Sequence, residues 1–233
     1  MRTAILLSGQ IRDARDCFPT LDQQIIQPYN ADVFIDTWVP ESQVLDHRGQ
    51  LITDNLSTQE VLRLYKPKLA MFEDFNASPL FDRIRNYKIE NRTAYDGSHA
   101  WETKIENVIY MYYKVWRCSQ HMKHYETMNN FTYDRVIRMR FDLQFESFPV
   151  VDTQPGSVYV PAGFDHRGGI NDLLSMGTRE TMEKVCDLFL KTMQYAESGV
   201  GFHPESLLRT HIEKCELAIN RFPVRYKLRG EYV

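Results

Sequence analysis

The sequence predicts an α/β fold in which a mostly parallel sheet is flanked by helices. Short apolar segments typical of strands alternate along the chain with longer amphipathic segments typical of helices. The first strand segment runs into a Gly turn and then a helical segment, which is the order expected in a layered α/β protein. The chain has 233 residues, 43% hydrophobic and 25% charged, so it can bury one large core or two small ones.

The strand segments of the N-terminal half are short, apolar and bounded by turn residues. They are expected at residues 4–7, 31–38 and 68–75. Residues 13–29 follow the first strand with a helical pattern. A short helix is predicted before the third strand, because Ser57 can cap its start, Glu60 follows three residues later and Pro67 lies past its end.

The C-terminal half begins with the longest helical pattern, residues 101–126, whose apolar stripe is expected to face the sheet. That stripe consists of Ile105, Val108, Ile109, Tyr112, Val115 and Trp116. Further strands are expected at 133–145 and 156–162, within 171–177, and at 219–233. Helices are expected after Thr178, which can act as an N-cap, and at 203–215. Residues 76–100 are polar and turn-rich and are expected to form a surface excursion.

Composition and charge argue against several classes of function. The net charge is −3, with 28 basic and 31 acidic residues and no run of like charge, so nucleic acid and anionic membranes are not expected partners. No segment approaches the ~18 apolar residues of a transmembrane helix, and no signal-peptide pattern is found, so a cytoplasmic location is expected. The cysteines are far apart, which favours buried free thiols over a zinc site: Cys17, Cys118, Cys186 and Cys215.

The predicted fourth strand carries an unusual charged face. Arg138, Arg140 and Asp142 alternate with apolar residues, and strand side chains repeat on one face every second residue. Arginine forks suit phosphate oxygens, and the aspartate could pair with them, hold a metal ion or take a sugar hydroxyl. A structural arginine–aspartate network that ties two layers together is the alternative, and the strand alone favours that alternative.

Other polar residues follow the predicted strands, where ligands bind in parallel α/β sheets. They are Ser8, Gly9, Gln10 and Arg12 after the first strand and Asp36 in the second. The turn lacks the GxGxxG and P-loop patterns, so a plain strand-to-helix turn stays open. Lys114 shares one side of the long helix with Asn107 and Tyr110 and could reach a phosphate, although these positions also suit core packing.

Two segments near the C-terminus could carry the chemistry. Asn171 and Asp172 follow a Gly pair, which suits a loop that closes on an acceptor, with Asp172 as a general base; ordinary turn residues are the alternative. His203 and Glu205 flank a Pro at a helix start, a sound structural signature, and His203 could also ligate a metal or a phosphate. GxSxG, HExxH and Cys–His patterns for other hydrolytic chemistry are absent from the sequence.

The order of five segments resembles a family of small glycosyltransferases. These segments are AILLSGQIRD, YNADVFIDTW, VIRMRFDLQF, GGINDLLSMGTRETM and HPESLLRTHI, and they span residues 3 to 212. The resemblance is to GT-A-like enzymes of bacterial or viral surface-glycan and polysaccharide synthesis. It implies a nucleotide-diphospho-sugar transferase fold with a mixed sheet. It also implies that the protein is located in the cytosol of a bacterium or of a virus-infected host cell. It also implies a single domain, 1–233, with a nucleotide-sugar half (1–145) and an acceptor half (146–233).

The resemblance also implies roles for the candidate residues. The Ser8–Arg12 turn and Asp36 would bind the nucleotide, and Lys114, Arg138 and Arg140 the diphosphate. Asp142 would bind the ribose, the sugar or a metal, and Asp172 would activate an acceptor hydroxyl for an inverting transfer. Asn171 and Glu205 are expected to contact the glycan or polysaccharide acceptor.

Metal dependence is the point where the sequence departs from the family pattern. GT-A enzymes commonly hold a divalent metal through Asp-x-Asp, but this position reads Arg140-Phe141-Asp142. Either the arginines replace the metal, or Asp142 and His203 together hold Mn²⁺ or Mg²⁺. The missing carboxylate also keeps open a catalytically inactive binding or scaffold module of a glycan-assembly complex. A nucleotidyltransferase on a similar α/β sheet is a further alternative, which Arg12 keeps open although the turn after the first strand is poor in glycine.

Overall fold

Strands and helices alternate along the described chain, as the sequence predicts. The computed structural model describes residues 1–39, 44–45, 51–52, 56–75, 95–98 and 104–228. The N-terminal half contains β1 (Thr3–Gly9), α1 (Ala14–Leu21), a π-helical turn (Asp22–Ile26), α2 (Gln27–Tyr29), β2 (Asp32–Trp38), β3 (Val44–Leu45), β4 (Leu51–Ile52), α3 (Thr58–Tyr65) and β5 (Leu69–Glu73). The expected surface excursion lies outside the described residues apart from 95–98.

The C-terminal half is built around one long helix. It contains α4 (Ile105–Asn129), β6 (Arg135–Met139), β7 (Leu143–Ser147), β8 (Ser157–Pro161), a 3-10 turn (His166–Gly168), β9 (Leu174–Thr178), α5 (Arg179–Cys186), a second 3-10 turn (Asp187–Lys191), α6 (Thr192–Glu197), α7 (Pro204–Lys214), β10 (Ala218–Phe222) and β11 (Arg225–Leu228). The predicted caps are confirmed: Ser57 and Glu60 form a capping box at α3, and Thr178 accepts a hydrogen bond from the Thr181 N–H at α5.

Seven of the described strands form one sheet in the order β10-β8-β9-β6-β1-β2-β5. The strand β9 runs antiparallel to β6 and β8, whereas the other neighbouring pairs are parallel. The prediction of an α/β fold with a mostly parallel sheet is therefore confirmed. The order of strands reverses at β1, with β2 on one side and β6 on the other, and ligands bind at such positions in open α/β sheets.

The two faces of the sheet are covered by different helices. Leu6, Phe34 and Val136 lie in the core that includes the buried side chains of α4. Ile5 and Ile137 point to the other face, where α1 and α3 pack. Because strand side chains alternate, Arg138 and Asp36 lie on the α4 face, and both are buried there.

The prediction of one continuous strand over 133–145 is wrong. The chain leaves the sheet after β6, turns at residues 140–142 and continues as β7, which pairs with β11 in a separate two-stranded sheet. The alternation of polar and apolar residues persists through the turn, because Phe141 and Leu143 both reach the core on the α1 side. The predicted closing strand is also divided, into β10 and β11, and Pro223 between them has no N–H to donate to a ladder.

Gly169 allows the loop before β9 to contact the start of α7. A Cβ atom at this position would lie 2.2 Å from the carbonyl carbon of Glu205. The next residue, Ile170, donates its N–H to the Glu205 carbonyl oxygen at 3.2 Å. The Gly pair of the sequence therefore serves close backbone packing, which places the Asp172 loop against Glu205.

Gly169→Ala should lower the free energy of unfolding by about 3 kcal/mol, because the backbone of α7 cannot move aside as a flexible side chain would. The matched control is Gly156→Ala, at a position with φ of +71° and open space where the methyl group of an alanine would lie. The control should lose only about 1 kcal/mol of backbone strain. Urea unfolding of both variants checks the difference, and equal losses would contradict the close approach.

Candidate functional site

The candidate site lies where the antiparallel strand β9 begins beside the carboxyl end of β6. Because β9 runs against β6, the loop that leads into it crosses this end of the sheet. Two contacts hold the loop there. Arg138 donates a hydrogen bond from Nη1 to the Asp172 carbonyl oxygen, and the Arg140 N–H donates to the Leu173 carbonyl oxygen at 3.2 Å. The structure thus brings Arg138, Arg140 and Asp172 together.

The carboxyl group of Asp172 is buried, and Asp172 is only 5% exposed. Burial, and then the nearby charge of Glu205, raise the pKa of Asp172 to about 6, while Arg138, Arg140 and His203 offset part of this increase. Glu205 lies in the first turn of α7, and Nδ1 of His203 is 2.7 Å from its Oε2. Tyr112 of α4 donates its hydroxyl to the Pro204 carbonyl oxygen at 2.7 Å and so fixes the start of α7.

Arg138 is a buried cation with unused donors. Its Nε and Nη2 make no hydrogen bond within the part of the chain that the structure describes. Ser175, its neighbour across β9, also has a buried hydroxyl without a described partner, and so does Ser8 at the end of β1. Unsatisfied buried donors are rare in folded proteins, so these groups are suited to an anionic ligand.

Arg140 and Asp142 form a two-pronged ion pair. Nε of Arg140 donates to Oδ1 of Asp142 at 2.9 Å, and Nη2 donates to Oδ2. The Arg140 side chain is 26% exposed and that of Asp142 only 1%. Asp142 is therefore buried, but it lies in the turn after β6 and not on a continuous strand as predicted. Both of its oxygens accept hydrogen bonds from Arg140.

These contacts do not make a metal site of Asp142 and His203. Arg140 takes both oxygens of Asp142, and His203 lies against Glu205. Among the described residues, no group of three His, Cys, Asp or Glu side chains is placed to hold a metal ion. A hard divalent cation needs several oxygen ligands. The residues present do not fit such an ion.

Asp36 and Lys114, which were expected to bind the nucleotide and the diphosphate, instead pair with each other inside a closed network of charges. Nζ of Lys114 lies 2.9 Å from Oδ1 of Asp36, 2.8 Å from Oε2 of Glu73 and 3.8 Å from the centre of the Trp38 ring. Its N–H groups also reach the Thr37 carbonyl oxygen at 3.1 Å. The Lys114 cation is fully compensated by these neighbours.

The sequence reasoning missed the other members of this network. Arg117 and His121 lie 3.2 Å and 2.8 Å from Oδ2 of Asp36. Both follow Lys114 on α4 at spacings of three and seven residues, so they share its face of the helix. The sequence spacing could therefore have identified Arg117 and His121. Glu73 lies at the end of β5 and enters the charge network only because β5 is part of the sheet, so no sequence spacing indicates it.

The turn after β1 is held by local hydrogen bonds. Gly9 has a φ of +99°, which favours glycine, and its carbonyl oxygen accepts from the Thr37 hydroxyl at 2.7 Å. Nε of Arg12 donates to Oε1 of Gln10 at 2.8 Å. Ser8, Gly9, Gln10 and Arg12 therefore lie at the end of β1 next to β2, as predicted.

Asn171 is engaged within its own loop. Its Nδ2 donates to the Gly163 carbonyl oxygen at 2.8 Å and to the Tyr226 hydroxyl at 2.7 Å. Its Oδ1 accepts from the Leu173 N–H at 3.0 Å. Asn171 thus orients the chain beside Asp172, and it links Tyr226, which the sequence reasoning did not identify, to the site.

A separate groove lies at the amino end of β2. It has a volume of about 450 Å³ and is lined by charged side chains such as Asp22, Arg63 and Lys66 together with apolar residues. None of the predicted site residues lines it. This groove is therefore distinct from the candidate site around Asp172.

Asp172→Asn should stabilise the protein at neutral pH. A raised pKa means that the folded state binds the proton more tightly than the unfolded state, so stability falls as pH rises from about 4 to about 6. The amide cannot ionise and avoids a loss of about 3 kcal/mol. Urea unfolding should show little difference at about pH 4 and a more stable variant at about pH 7.5. The exposed control Glu216→Gln should show no such pH-dependent gain; an equal gain there would contradict the buried Asp172.

Comparison with known proteins identifies a family but no activity. Residues 82–203 match the model of a family described as a domain of unknown function, DUF7796, and this match covers just over half of the chain. The matched range includes Lys114, Arg138, Arg140, Asp142, Asn171, Asp172 and His203. No curated protein matches the chain. Among the described helices, none combines the length and apolar character that a membrane span requires. The chain belongs to the DUF7796 family.

Proposed function

We propose that the protein is a GT-A-like glycosyltransferase that moves a sugar from a nucleotide-sugar donor to a hydroxyl group of a glycan or polysaccharide acceptor, with inversion. The observation that carries this proposal is the buried Asp172 carboxyl, whose pKa is about 6, beside the unsatisfied guanidinium of Arg138 at the end of β6. A base and an anion-binding group occur together there, as sugar transfer from a diphosphate requires. The mixed sheet with β9 antiparallel agrees with the fold that the resemblance implies.

Asp172 takes the role of general base. A base is most effective when its pKa lies near the working pH, and burial beside Glu205 moves Asp172 toward that value. In the proposed step, the acceptor oxygen bonds to the anomeric carbon of the donor sugar. The hydroxyl proton passes to Asp172, and the bond from the anomeric carbon to the diphosphate oxygen breaks. The nucleoside diphosphate leaves with the electron pair of that bond.

Arg138 stabilises the departing diphosphate. Its free Nε and Nη2 can donate to phosphate oxygens, and the hydroxyls of Ser8 and Ser175 lie on the same face of the sheet. Fixed donors of this kind act strongly where water is excluded. The nucleotide would lie along the turn Ser8–Arg12 at the end of β1. Asp36 and Lys114 would support that edge through their own ion pair rather than contact the donor.

A binding module without catalysis is the second candidate. The pairing of Arg140 with Asp142 favours it, because both groups are then engaged with each other and not with a donor. Such a module would bind a nucleotide sugar or a glycan but release no nucleoside diphosphate. Release of pyrophosphate instead would identify a nucleotidyltransferase.

Donor binding should raise the melting temperature, and Arg138→Met should abolish the increase. The panel consists of UDP-, GDP-, CDP- and TDP-sugars, each with and without Mn²⁺. A ligand at 100 times its Kd contributes about 2.7 kcal/mol, which raises the melting temperature by several degrees. Arg135→Met is the matched control, because Arg135 is buried on the same strand but faces α2, 4.8 Å from the Tyr29 ring. The assignment of Arg138 to the diphosphate would be contradicted if the donor still raised the melting temperature of Arg138→Met but no longer raised that of Arg135→Met.

Asp172→Asn should lower kcat about 100- to 10,000-fold while the donor-induced shift persists, since general-base catalysis contributes that factor. In the unaltered protein, kcat/KM should fall as pH drops below about 6, because Asp172 then holds a proton and cannot accept another. Nucleoside diphosphate release in the presence of acceptor measures both quantities. Glu216→Gln is the control, and transfer by Asp172→Asn at the unaltered rate would overturn the base assignment.

A further inference from the structure

We infer that Phe164 and Tyr226 form an aromatic platform that holds a sugar ring of the acceptor beside Asp172. This inference rests on the proposed function and names its acceptor subsite. Phe164 lies between β8 and the 3-10 turn that begins at His166, and Tyr226 lies on β11. Their rings are stacked, with centroids 5.9 Å apart and an interplanar angle of 20°. Phe164 is 39% exposed, so this stacked pair presents an apolar surface to solvent.

The platform is joined directly to the site. Asn171 donates to the Tyr226 hydroxyl at 2.7 Å, and Asp172 is its neighbour in the chain. Burial raises the pKa of the Tyr226 hydroxyl, and the charges of Asp172 and Arg140 act on this pKa in opposite directions. Arg138 contacts the backbone of Asp172 from the sheet, and Asn171, the preceding residue, contacts Tyr226. The proposed diphosphate group and the aromatic pair are therefore both joined to the segment that carries the base.

The loop that carries Phe164 is held rigidly. Arg221 donates to both oxygens of Asp165, at 3.0 Å and 2.8 Å, and the Asn171 N–H donates to Oδ1 of the same carboxylate at 2.8 Å. Asn171 also holds the Gly163 carbonyl oxygen at 2.8 Å. A group that is fixed before binding loses little entropy when a ligand arrives.

Phe164 itself occupies an unfavourable backbone conformation. Its φ of +54° lies in the left-handed region, which is a genuine outlier for a bulky residue. A large ring kept in this conformation and left at the surface is not explained by core packing. Residues with strained backbones in well-held loops are often found at ligand sites. In this loop, the strained residue exposes the phenyl ring of Phe164 to solvent.

The chemistry of the platform favours a saturated sugar ring. The face of an aromatic ring is electron-rich and attracts the weakly positive C–H groups that one face of a pyranose presents. A sugar ring lying on Phe164 would keep its hydroxyl groups at the edge, where Asp165 and His166 are also exposed. A nucleobase could stack on the same ring. However, the proposed nucleotide edge is the turn after β1, whereas Phe164 is joined to the site through Asn171 and Tyr226.

Saturation-transfer NMR with methyl glycosides tests the platform. The probes are methyl glycosides of glucose, galactose, mannose, rhamnose and xylose, with irradiation of the aromatic protons of the protein. The unaltered protein should transfer saturation to the ring C–H groups of at least one probe. Phe164→Ala and Phe164→Gly should each weaken that affinity about three- to tenfold, the factor that one aromatic contact supplies. Leu190→Ala is the control, because Leu190 is an exposed apolar residue, 55% exposed, on another part of the surface.

Two variants at Phe164 separate binding from folding. Glycine accepts the left-handed conformation without strain, so Phe164→Gly should melt at or above the temperature of Phe164→Ala. A loss of glycoside binding in both variants, with their melting transitions intact, therefore reports the missing ring. Unchanged binding in both variants, or no glycoside binding by the unaltered protein, would overturn the platform.

The nucleotide-sugar shift distinguishes failure of the platform from failure of the proposed function. Phe164→Ala should keep the donor-induced increase in melting temperature, because the ring is assigned to the acceptor. Loss of that increase together with unchanged glycoside binding would mean that Phe164 stacks on a nucleobase, which overturns the acceptor assignment. Glycoside binding without any nucleotide-sugar binding would overturn the proposed glycosyltransferase function instead.

Discussion

Burial of charge between the sheet and helix α4 is the constraint on which the rest of the structure depends. Water is excluded there, so each charged group needs an opposite charge or hydrogen bonds within the protein. Asp36 meets this need through ion pairs with Lys114, Arg117 and His121. Arg138 meets it only in part, through the Asp172 carbonyl oxygen. The charges around Asp36 thus balance one another within the protein, whereas Arg138 keeps N–H donors available for a ligand. This difference distinguishes the candidate site from the structural network.

The antiparallel direction of β9 places the loop that carries Asp172 next to the buried Arg138, and this forms the candidate site. A parallel strand beside β6 would begin at the opposite end of the sheet and would carry its preceding loop away from Arg138. The antiparallel strand instead begins at the carboxyl end, where Asp172 meets Glu205 of α7. This meeting depends on the close backbone contact at Gly169. This arrangement lowers the free energy of unfolding, because Asp172 is ionised above about pH 6 and its buried charge destabilises the native state. A carboxyl group that is costly to ionise is also one that accepts a proton readily.

Local features of this fold could be predicted from the sequence, and long-range pairings could not. The caps at Ser57 and Thr178 depend on residues three positions apart, so the sequence contains the whole signal. The division of the predicted strand 133–145 was missed because its polar–apolar alternation continues through the turn at 140–142. The sequence indicated Asp172 and Glu205 separately, but not that their carboxyl groups lie close enough to repel each other, since this arises only when the β9 loop packs on α7. No pattern in the sequence indicated Tyr226, because the site residue that it contacts, Asn171, lies 55 residues away in the chain.

The balance of charge in the site bears on how a sugar transfer would proceed there. Arg138 and Arg140 are set among three carboxylates, those of Asp142, Asp172 and Glu205. A diphosphate entering this cluster adds negative charge, which opposes the ionised form of Asp172 and raises its affinity for a proton. In the proposed reaction, Asp172 becomes neutral in the same step in which the departing diphosphate gains its charge beside Arg138. The total charge of the buried cluster then stays constant through the reaction. In this proposal, the buried guanidinium of Arg138 stabilises an anion in a place where water cannot solvate it.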